Sequence, residues 1–304
     1  MDKATVRALC ALNNEFYREQ AESFSASREE PWPGWRRVLG HMGSLANARG
    51  ADGTSWAEGV CDMADEVRHA RLSVLDAACG NLRFERFLDA EYAGEFDAFA
   101  VDSCDALALP ALREHDFLRG NVVYHCADFI EALIDGGAAG LAWALETSSC
   151  DAAVSFGFMH HVPGEENRVA MLRALIGAVR FGGVVAVSLW RFAESEKGRA
   201  KAVDFDRRAL EDFAQGSLDV LTGLSEEARQ VLEAGGKLHG AFEPGDHFLG
   251  WKNQPHVWRY CHSFSDDEID RLVASVDSEA TLLDRFCADG KTNDMNAYLV
   301  LKKR

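Results

Sequence analysis

An aspartate at the end of a short apolar run is the residue of this 304-residue sequence that says most about chemistry. Asp76 closes the run that begins at Val74, small residues follow up to Gly80, and apolar residues then recur at helical spacing over 84–88. This pattern predicts a strand, a tight turn and a helix, with Asp76 at the carboxyl end of the strand. Ligands of open α/β sheets bind at that end. A carboxylate there favours a cationic or amine-bearing ligand and repels a phosphate.

The glycines of the turn separate two classes of cofactor. A dinucleotide site needs Gly-x-Gly-x-x-Gly to bring a pyrophosphate onto a helix N-terminus, whereas the aligned residues here are Ala78, Gly80 and Arg83. S-adenosylmethionine has no phosphate, but it carries a sulfonium and an α-amino group. The segment Asp76-x-Ala78-x-Gly80 resembles the first motif of class I S-adenosylmethionine-dependent methyltransferases, Asp/Glu-x-Gly-x-Gly-x-Gly. Ala78 and Leu82 stand in place of its first and third glycines.

Further candidate cofactor residues follow the next strands. Asp102 ends the second strand, where an acid can accept both hydroxyls of a ribose or can cap the following helix. Asp128 and Phe129 follow the third strand, where they suit the amino group and ring of adenine, and a helix cap is again the alternative. Gly157, after the fourth strand, lets the backbone approach the cofactor. The predicted cofactor-binding residues of the core are therefore Asp76, Ala78, Gly80, Asn81, Asp102, Ser103, Asp128, Phe129, Phe156 and Gly157.

Strands and helices alternate through the middle of the chain. Strands are predicted at 72–76, 97–101, 121–126, 151–156 and 184–190, and helices near 81–92, 104–115, 128–134 and 165–180. This alternation implies a parallel sheet with helices on both faces. The last of these helices is predicted to end at Phe181-Gly182-Gly183, with glycine as a left-handed cap. A helix at 266–276 and strands at 280–287 and 295–302 complete the chain, and the two strands suit an antiparallel hairpin at the sheet edge.

These elements predict an α/β fold with a doubly wound, mostly parallel seven-stranded sheet and an antiparallel C-terminal hairpin. An N-terminal helical lid and a helical insertion after strand 5 are added to this sheet. Helices expected at 3–26 and 35–70 make residues 1–70 an N-terminal cap. Residues 71–304 form the methyltransferase domain that the resemblance implies, with a substrate-side insertion at about 191–250 that is expected to be helical up to residue 245.

Composition restricts partners and location. No apolar run approaches a membrane span, the N-terminus lacks the apolar core of a signal peptide, and none of the eight cysteines forms Cys-x-x-Cys. We therefore expect a reduced, cytoplasmic protein without a metal site, either a monomer or a weak homo-oligomer. The net charge of −17 argues against indiscriminate nucleic-acid binding, and no DNA partner is expected. The one basic stretch, 168–208, is interpreted as a solvated helix face.

Three segments outside the core carry a narrower resemblance. Residues 16–32, 245–252 and 259–264 are similar to stretches of the wobble-uridine tRNA carboxymethyl methyltransferases, which esterify a carboxymethyl group on tRNA. The resemblance implies that Tyr17 and Arg28 cover the cofactor. Side chains after the fourth and fifth strands, or in the downstream stretches, become substrate-side candidates: His160, His161, Arg191, Trp251, Arg259, Tyr260 and His262. The adjacent histidines diverge and have no evident third ligand, so a substrate contact or a structural role is preferred to a metal.

The sequence therefore predicts an S-adenosylmethionine-dependent methyltransferase whose acceptor is a small molecule, with a carboxylate as the candidate nucleophile. A carboxylate is already ionised at pH 7 and needs no base, so no catalytic residue is assigned. Methylation of a wobble-uridine carboxymethyl group on tRNA is the alternative within the same class. An inactive methyltransferase-like binding module and an NAD-dependent oxidoreductase are the alternatives from other classes.

Overall fold

A computed structural model describes residues 1–46, 71–142, 150–215 and 242–304. The helices are α1 (Lys3–Ser25), α2 (Gly34–Ala46), α3 (Arg83–Glu91), α4 (Asp105–Glu114), α5 (Phe129–Ala142, kinked at Gly137), α6 (Glu165–Ala178), α7 (Glu196–Ala214) and α8 (Asp266–Ala274). The strands are β1 (Leu72–Ala77), β2 (Phe96–Asp102), β3 (Gly120–Cys126), β4 (Cys150–Ser155), β5 (Val179–Trp190), β6 (Asp246–Gly250), β7 (Trp258–His262), β8 (Ala280–Ala288) and β9 (Asn296–Lys303). No described helix is both long enough and apolar enough to cross a bilayer.

Seven strands form one sheet in the order β3-β2-β1-β4-β5-β9-β8. The first five are parallel, and β9 is antiparallel to both β5 and β8. The predicted doubly wound sheet and C-terminal hairpin are therefore confirmed. The carboxyl ends of β1, β2 and β4 lie side by side, with Asp76 opposite Ala100 of β2 and Val154 of β4. This edge of the sheet places the predicted ligand residues together.

Alternate residues of the central strands pack against helices on opposite faces of the sheet. On one face Leu75 of β1 packs in a cluster with Leu172 and Leu175 of α6. On the other face Val74 packs in a cluster with Trp35 of α2 and Phe84 of α3. Burial on both faces explains why these strands read as continuous apolar runs rather than alternating ones.

Two boundaries differ from the sequence prediction. The sixth helix ends at Ala178 and β5 begins at once, so the glycine pair lies inside the strand and not in a helix cap. Cys150 pairs with Val179 but Ala152 pairs with Val184, which leaves the intervening residues in a bulge. Gly182 has φ 74° there. The glycine pair permits this bulge because Gly182 adopts a left-handed conformation, which bends the strand locally.

The insertion after strand 5 contains a two-stranded antiparallel sheet, β6–β7, that sequence reasoning missed. All five residues of β7 are buried, so the strand shows no polar–apolar alternation and gave no recognisable signal. Helix α7 agrees with the predicted helical character of this region, whereas residues 216–241 lie outside the described part of the chain. The predicted helix at 35–70 corresponds to α2 up to residue 46, and the rest of it also lies outside the described residues.

A buried polar network connects the small sheet to helices α6 and α8. Asp246 accepts a 2.6 Å hydrogen bond from the Tyr260 hydroxyl and a 2.7 Å bond from Nδ1 of His262. Nε2 of His262 lies 3.0 Å from a Glu268 oxygen. Arg168 of α6 pairs with Glu243 and lies 3.8 Å from Glu268. Each of the three carboxylates thus has a cationic partner, as burial of charge requires.

The titration of this network gives stability a defined pH window. Burial alone would lower the pKa of His262, but hydrogen bonds to Asp246 and Glu268 raise this pKa above its usual value. Burial alone would raise the pKa values of Asp246 and Glu268, but each accepts a hydrogen bond from His262. These bonds lower the pKa of Asp246, and they lower the pKa of Glu268 to about 2. The contribution of His262 is present below its unfolded pKa of about 6.5 and is lost as the pH rises through the folded value. The contribution of Asp246 and Glu268 to stability is present above about pH 4.5 and is lost as the pH falls through their folded pKa values.

We predict that the network contributes most to the free energy of unfolding between about pH 4.5 and 6.5. Asp246→Asn should lower that free energy by about 3 kcal/mol in this window, because the buried Tyr260 hydroxyl and His262 lose the carboxylate that they share. It should also flatten the pH profile. Urea unfolding from pH 3 to 8 measures both effects. Asp204→Asn, which breaks an exposed pair with Arg207, should change stability by less than about 1 kcal/mol. Equal effects of the two substitutions would contradict the prediction.

Candidate active site

A cavity of about 610 Å³ opens at the carboxyl ends of β1, β2 and β4. Its volume lies in the range of ligand and cofactor pockets. The connection between α1 and α2 contributes part of its wall, from Phe24 to Trp32. The hairpin of β8 and β9 holds this connection in place, because Asp289 accepts hydrogen bonds from the backbone N–H of Gly34 and from the side chains of Asn296 and Tyr298.

The turn after β1 adopts the backbone conformation of a glycine-rich loop, although only one of its three left-handed residues is a glycine. Ala78, Gly80 and Leu82 have φ values of 67°, 55° and 55°. These are the positions at which the methyltransferase motif has its three glycines. A left-handed conformation costs a non-glycine residue about 1–2 kcal/mol. Full burial of the Leu82 side chain in the cluster around Ala100 and Ala108 offsets this strain.

Gly157 is required at the end of β4 for two reasons. Its φ is 74°, and a Cβ atom there would lie 3.1 Å from the ring of Trp32. Its backbone N–H donates a 2.8 Å hydrogen bond to the Ser188 hydroxyl, which fixes the loop. The backbone of this loop therefore faces the cavity without an intervening side chain.

One end of the cavity is acidic, since Asp76, Asp102 and Asp128 all lie on its wall. Asp102 accepts 2.8 Å hydrogen bonds from the backbone N–H groups of Gly80 and Cys104, so it fixes the turn and the start of α4. Asp128 accepts from the first backbone N–H groups of α5. Both residues thus make the cap contacts that the sequence left as alternatives, and both also face the cavity.

The part of the cavity wall beside β7 is cationic, and we call it the cationic end. Arg259 is 5% exposed, and its guanidinium stacks on Phe16 at 5.0 Å, on Trp251 at 5.3 Å and on Trp190 at 5.7 Å. Its Nε has no hydrogen-bond partner among the described residues. Arg28 lies near it, since burial and then the charge of Arg259 lower the pKa of Arg28. Within the described ranges neither guanidinium is paired with a carboxylate.

The two histidines are neutral and differ in their contacts. Nδ1 of His161 lies 2.9 Å from the Tyr260 carbonyl oxygen, which can only accept, so Nδ1 carries the proton. Nε2 then accepts from the Tyr17 hydroxyl at 2.7 Å. Burial, followed by the charge of Arg259, lowers the pKa of His161 to about 3. Burial lowers the pKa of His160 well below its usual value, and Nδ1 of His160 has no partner in the described structure.

Two groups of described side chains have the spacing of metal ligands. The first is His160, His161 and Cys261, but both nitrogens of His161 are already bonded and burial raises the pKa of the Cys261 thiol to about 12. A protonated thiol is a poor ligand. The second group belongs to the buried network around His262, where Arg168 is in contact with the carboxylates. Neither set of donors is free to bind a cation.

The structure places all the predicted cofactor residues on the cavity wall: Tyr17, Arg28, Asp76, Ala78, Gly80, Asn81, Asp102, Ser103, Asp128, Phe129, Phe156 and Gly157. Of the substrate-side candidates, His160, His161 and Arg259 line the cavity. Binding by these residues stays a prediction.

Four substrate-side candidates are not part of the cavity wall as described, and for them a substrate contact stays a prediction. Arg191 pairs with Asp266 at 2.9 Å. Trp251 donates from its indole N–H to the Ser23 hydroxyl and lies beneath Arg259. Tyr260 and His262 are bonded to Asp246 in the buried network. In a strand, alternate side chains point to opposite sides, so Arg259 faces the cavity and its neighbour Tyr260 does not.

Several cavity residues were missed by sequence reasoning. Trp32 ends the segment 16–32 of the narrower resemblance but was assigned no role of its own, yet its ring faces Gly157. Arg83 was taken only as a missing glycine, yet its guanidinium stacks on Trp32 at 4.7 Å and lines the cavity. Asn13 bonds to β7 and lines the cavity as well. Their signals are weak because each depends on a contact between segments distant in sequence.

The basic stretch 168–208 does not form a continuous cationic surface. Five of its nine basic residues pair with carboxylates: Arg168, Arg173, Arg180, Arg191 and Arg207. Arg168 is also buried. Pairing leaves few of these charges available for phosphate contacts.

Comparison with known proteins identifies the fold. No protein-family model matches the chain, and no curated protein matches it by sequence. A SAM-dependent methyltransferase from Methanosarcina mazei superposes with a TM-score of 0.50 at 14% identity, over 76% of this chain and 92% of that one. A SAM-dependent methyltransferase from Anabaena variabilis aligns over 97% of this chain and 95% of that one, at 15% identity and a TM-score of 0.47.

Neither of these two names concerns tRNA, and the comparisons give no support to the narrower wobble-uridine resemblance. The chain has the Rossmann-like fold of the class I S-adenosylmethionine-dependent methyltransferases.

Proposed function

We propose that the protein transfers a methyl group from S-adenosylmethionine to the carboxylate of a small acceptor. The observation that carries this proposal is that both acidic and cationic side chains line one cavity. Asp76, Asp102 and Asp128 line it at the carboxyl ends of β1, β2 and β3, and Arg28 and Arg259, which have no carboxylate partner among the described residues, line it beside α1 and β7. The acidic end matches a cationic, ribose-bearing cofactor, and the cationic end matches an anionic acceptor.

The residues at the acidic end fit S-adenosylmethionine. One oxygen of Asp76 is buried without a hydrogen-bond donor, which suits an ammonium group. Asp102 is placed to accept from a ribose, and the left-handed turn at Gly80 lets the backbone come close. Gly157 lies on the cavity wall against the Trp32 ring, and the absence of a side chain leaves its backbone accessible to a ligand. The same acids would repel the pyrophosphate of NAD.

The bound cofactor supplies an electrophilic methyl group on a sulfonium. The protein has to hold a nucleophile in line with it and exclude water. Arg259 can bind a carboxylate through charge-assisted hydrogen bonds. Because a carboxylate is already ionised at pH 7, the neutral His160 and His161 have no proton to remove. Their role is to orient polar groups: His161 holds the Tyr17 hydroxyl, and His160 packs against Trp190 at 4.7 Å.

The narrower alternative, a wobble-uridine carboxymethyl group on tRNA, has the same reacting carboxylate. It would also require contacts to phosphates along the RNA, which depend strongly on salt. The pairing of most arginines in the basic stretch and the net charge of −17 favour a small acceptor. Catalytic turnover would exclude the alternative of an inactive binding module, because such a module would bind the cofactor without transferring its methyl group.

We predict that S-adenosylhomocysteine quenches the tryptophan fluorescence of the protein and that NAD does not. Asp102→Asn should weaken S-adenosylhomocysteine binding by about 10- to 100-fold, because a charge-assisted hydrogen bond to the ribose is lost. Asp105→Asn is the matched control: that carboxylate lies three residues away, is exposed and bonds to Tyr124 outside the cavity. Tighter binding of NAD than of S-adenosylhomocysteine would instead support an oxidoreductase.

For the acceptor, we predict methyl incorporation into members of a panel of aromatic carboxylic acids incubated with labelled S-adenosylmethionine. The product should release labelled methanol in base, as a methyl ester does. Arg259→Met keeps the stacking but removes the charge, and should raise the KM for the acid by about 100-fold. Arg208→Met is the control, because Arg208 also stacks on aromatic rings but lies outside the cavity.

A base-stable product would contradict transfer to a carboxylate. Incorporation that needs tRNA and collapses at high salt would contradict a small acceptor and would favour the tRNA alternative.

A further inference from the structure

A second carboxyl group lies behind Asp76, on helix α3, where sequence reasoning assigned no function. Glu85 is completely buried and Asp76 is 3% exposed. The two carboxyl groups lie within hydrogen-bonding reach of each other. Oδ1 of Asp76 has no hydrogen-bond donor among the described residues, and the Glu85 oxygens have none beyond the backbone N–H of Glu85 itself. Two buried carboxylates in contact cannot both be ionised without a compensating positive charge.

The groups around this carboxyl pair do not provide that charge. From β2, Asp102 adds a third acid, although two backbone N–H groups already bond to it. From the turn, Cys79 contributes a buried thiol, whose pKa burial raises well above its usual value. From α3 itself, Arg86 is the cation that acts on Glu85, and neither carboxylate forms an ion pair with it in the described structure. Helix α2 packs on α3 through the apolar Trp35.

The electrostatics agree with one shared proton. Burial raises the pKa of Glu85 to about 7. Burial, followed by the charge of Glu85, raises the pKa of Asp76 well above its usual range. Near neutral pH the pair therefore carries one negative charge rather than two. A bound ammonium group would reverse this preference, since an adjacent cation favours the ionised form of a carboxyl.

We propose that Glu85 is a positioning residue that shares one proton with Asp76 in the free protein and releases it to solvent when an ammonium group binds beside Asp76. The inference rests on the proposed function, which supplies the ammonium group as part of the cofactor. The exchange keeps the buried charge constant. One negative charge precedes binding, and two negative charges with one positive charge follow it.

Two consequences distinguish this exchange from a merely structural role of Glu85. Ligand affinity rises with pH over the range in which the free pair holds its shared proton, by up to about tenfold per pH unit, because binding requires loss of that proton. The affinity levels off only at the pH at which the free pair has already lost it. A ligand with the same adenosine and thioether but no amino group, 5′-methylthioadenosine, gains nothing from the pair and releases no proton.

Isothermal titration calorimetry tests the exchange directly. S-adenosylhomocysteine is titrated at pH 6 to 8 in phosphate and in imidazole, two buffers that differ in ionisation enthalpy, so that the difference in heat counts the protons released. We expect about one proton per ligand near neutral pH, where the free pair holds one proton. With 5′-methylthioadenosine we expect none.

The variant Glu85→Gln tests whether the released proton depends on this residue. The amide keeps the size of the side chain and donates a hydrogen bond to Asp76, so the pair can no longer release a proton. We expect no proton release, an affinity independent of pH between 6 and 8, and binding of S-adenosylhomocysteine about tenfold weaker than that of the parent at pH 8. Glu91→Gln is the matched control on the same helix, because Glu91 is exposed and pairs with Arg36. It should behave as the parent protein.

The outcomes separate the inference from the proposed function. S-adenosylhomocysteine binding without proton release in the parent protein overturns the role of Glu85 and leaves the proposed function standing. Proton release that persists in Glu85→Gln also overturns it. Absence of binding by S-adenosylhomocysteine and S-adenosylmethionine overturns both. If Glu85→Gln does not fold, the parent protein still decides the matter, because its proton release with the two ligands is measured without any substitution.

Discussion

The hydrogen bonds between Asn13 and Tyr260 fix the cationic side of the cavity. The Asn13 side chain accepts from the backbone N–H of Tyr260 at 2.8 Å and donates to its carbonyl at 3.2 Å, as a neighbouring strand would. This contact joins α1, which carries Tyr17, to β7, which carries Arg259. The same carbonyl accepts from His161, whose other nitrogen holds the Tyr17 hydroxyl. A buried amide thus aligns three side chains of the cavity wall from distant parts of the chain.

Strand β7 also separates two electrostatic environments, one in which buried charges are paired and one in which they are not. On one side, Tyr260 and His262 belong to a network in which every buried charge has a partner. On the other side, Arg259 is buried with aromatic contacts and no acid. A buried charge without a counterion is costly unless something else compensates it. Stacking on Phe16 and Trp251 compensates part of the cost, and an anionic ligand would compensate the rest.

The sequence was sufficient for the sheet and for the acidic end of the cavity, because both depend on local patterns. Asp76 and Asp102 are recognisable from the strand ends they occupy, and parallel strands bring such ends to one edge. The cationic end depends on contacts between distant segments. Arg191 and Arg259 look equivalent in sequence, yet an acid from α8 pairs with Arg191 and none in the described structure pairs with Arg259. Glu85 gave no signal, since a glutamate on a predicted helix is ordinarily exposed.

The contrast between the acidic exterior and the cationic cavity end limits how an acceptor can be recognised. The net charge of −17 repels anions at long range, but salt screens this field beyond about 8 Å. A small acid that has entered the cavity therefore experiences Arg28 and Arg259 rather than the overall charge. A polyanion cannot enter completely, and most of its charges would remain against the acidic surface. The same distribution of charge thus attracts one carboxylate at short range and opposes a long chain of phosphates, which favours a small acceptor on electrostatic grounds.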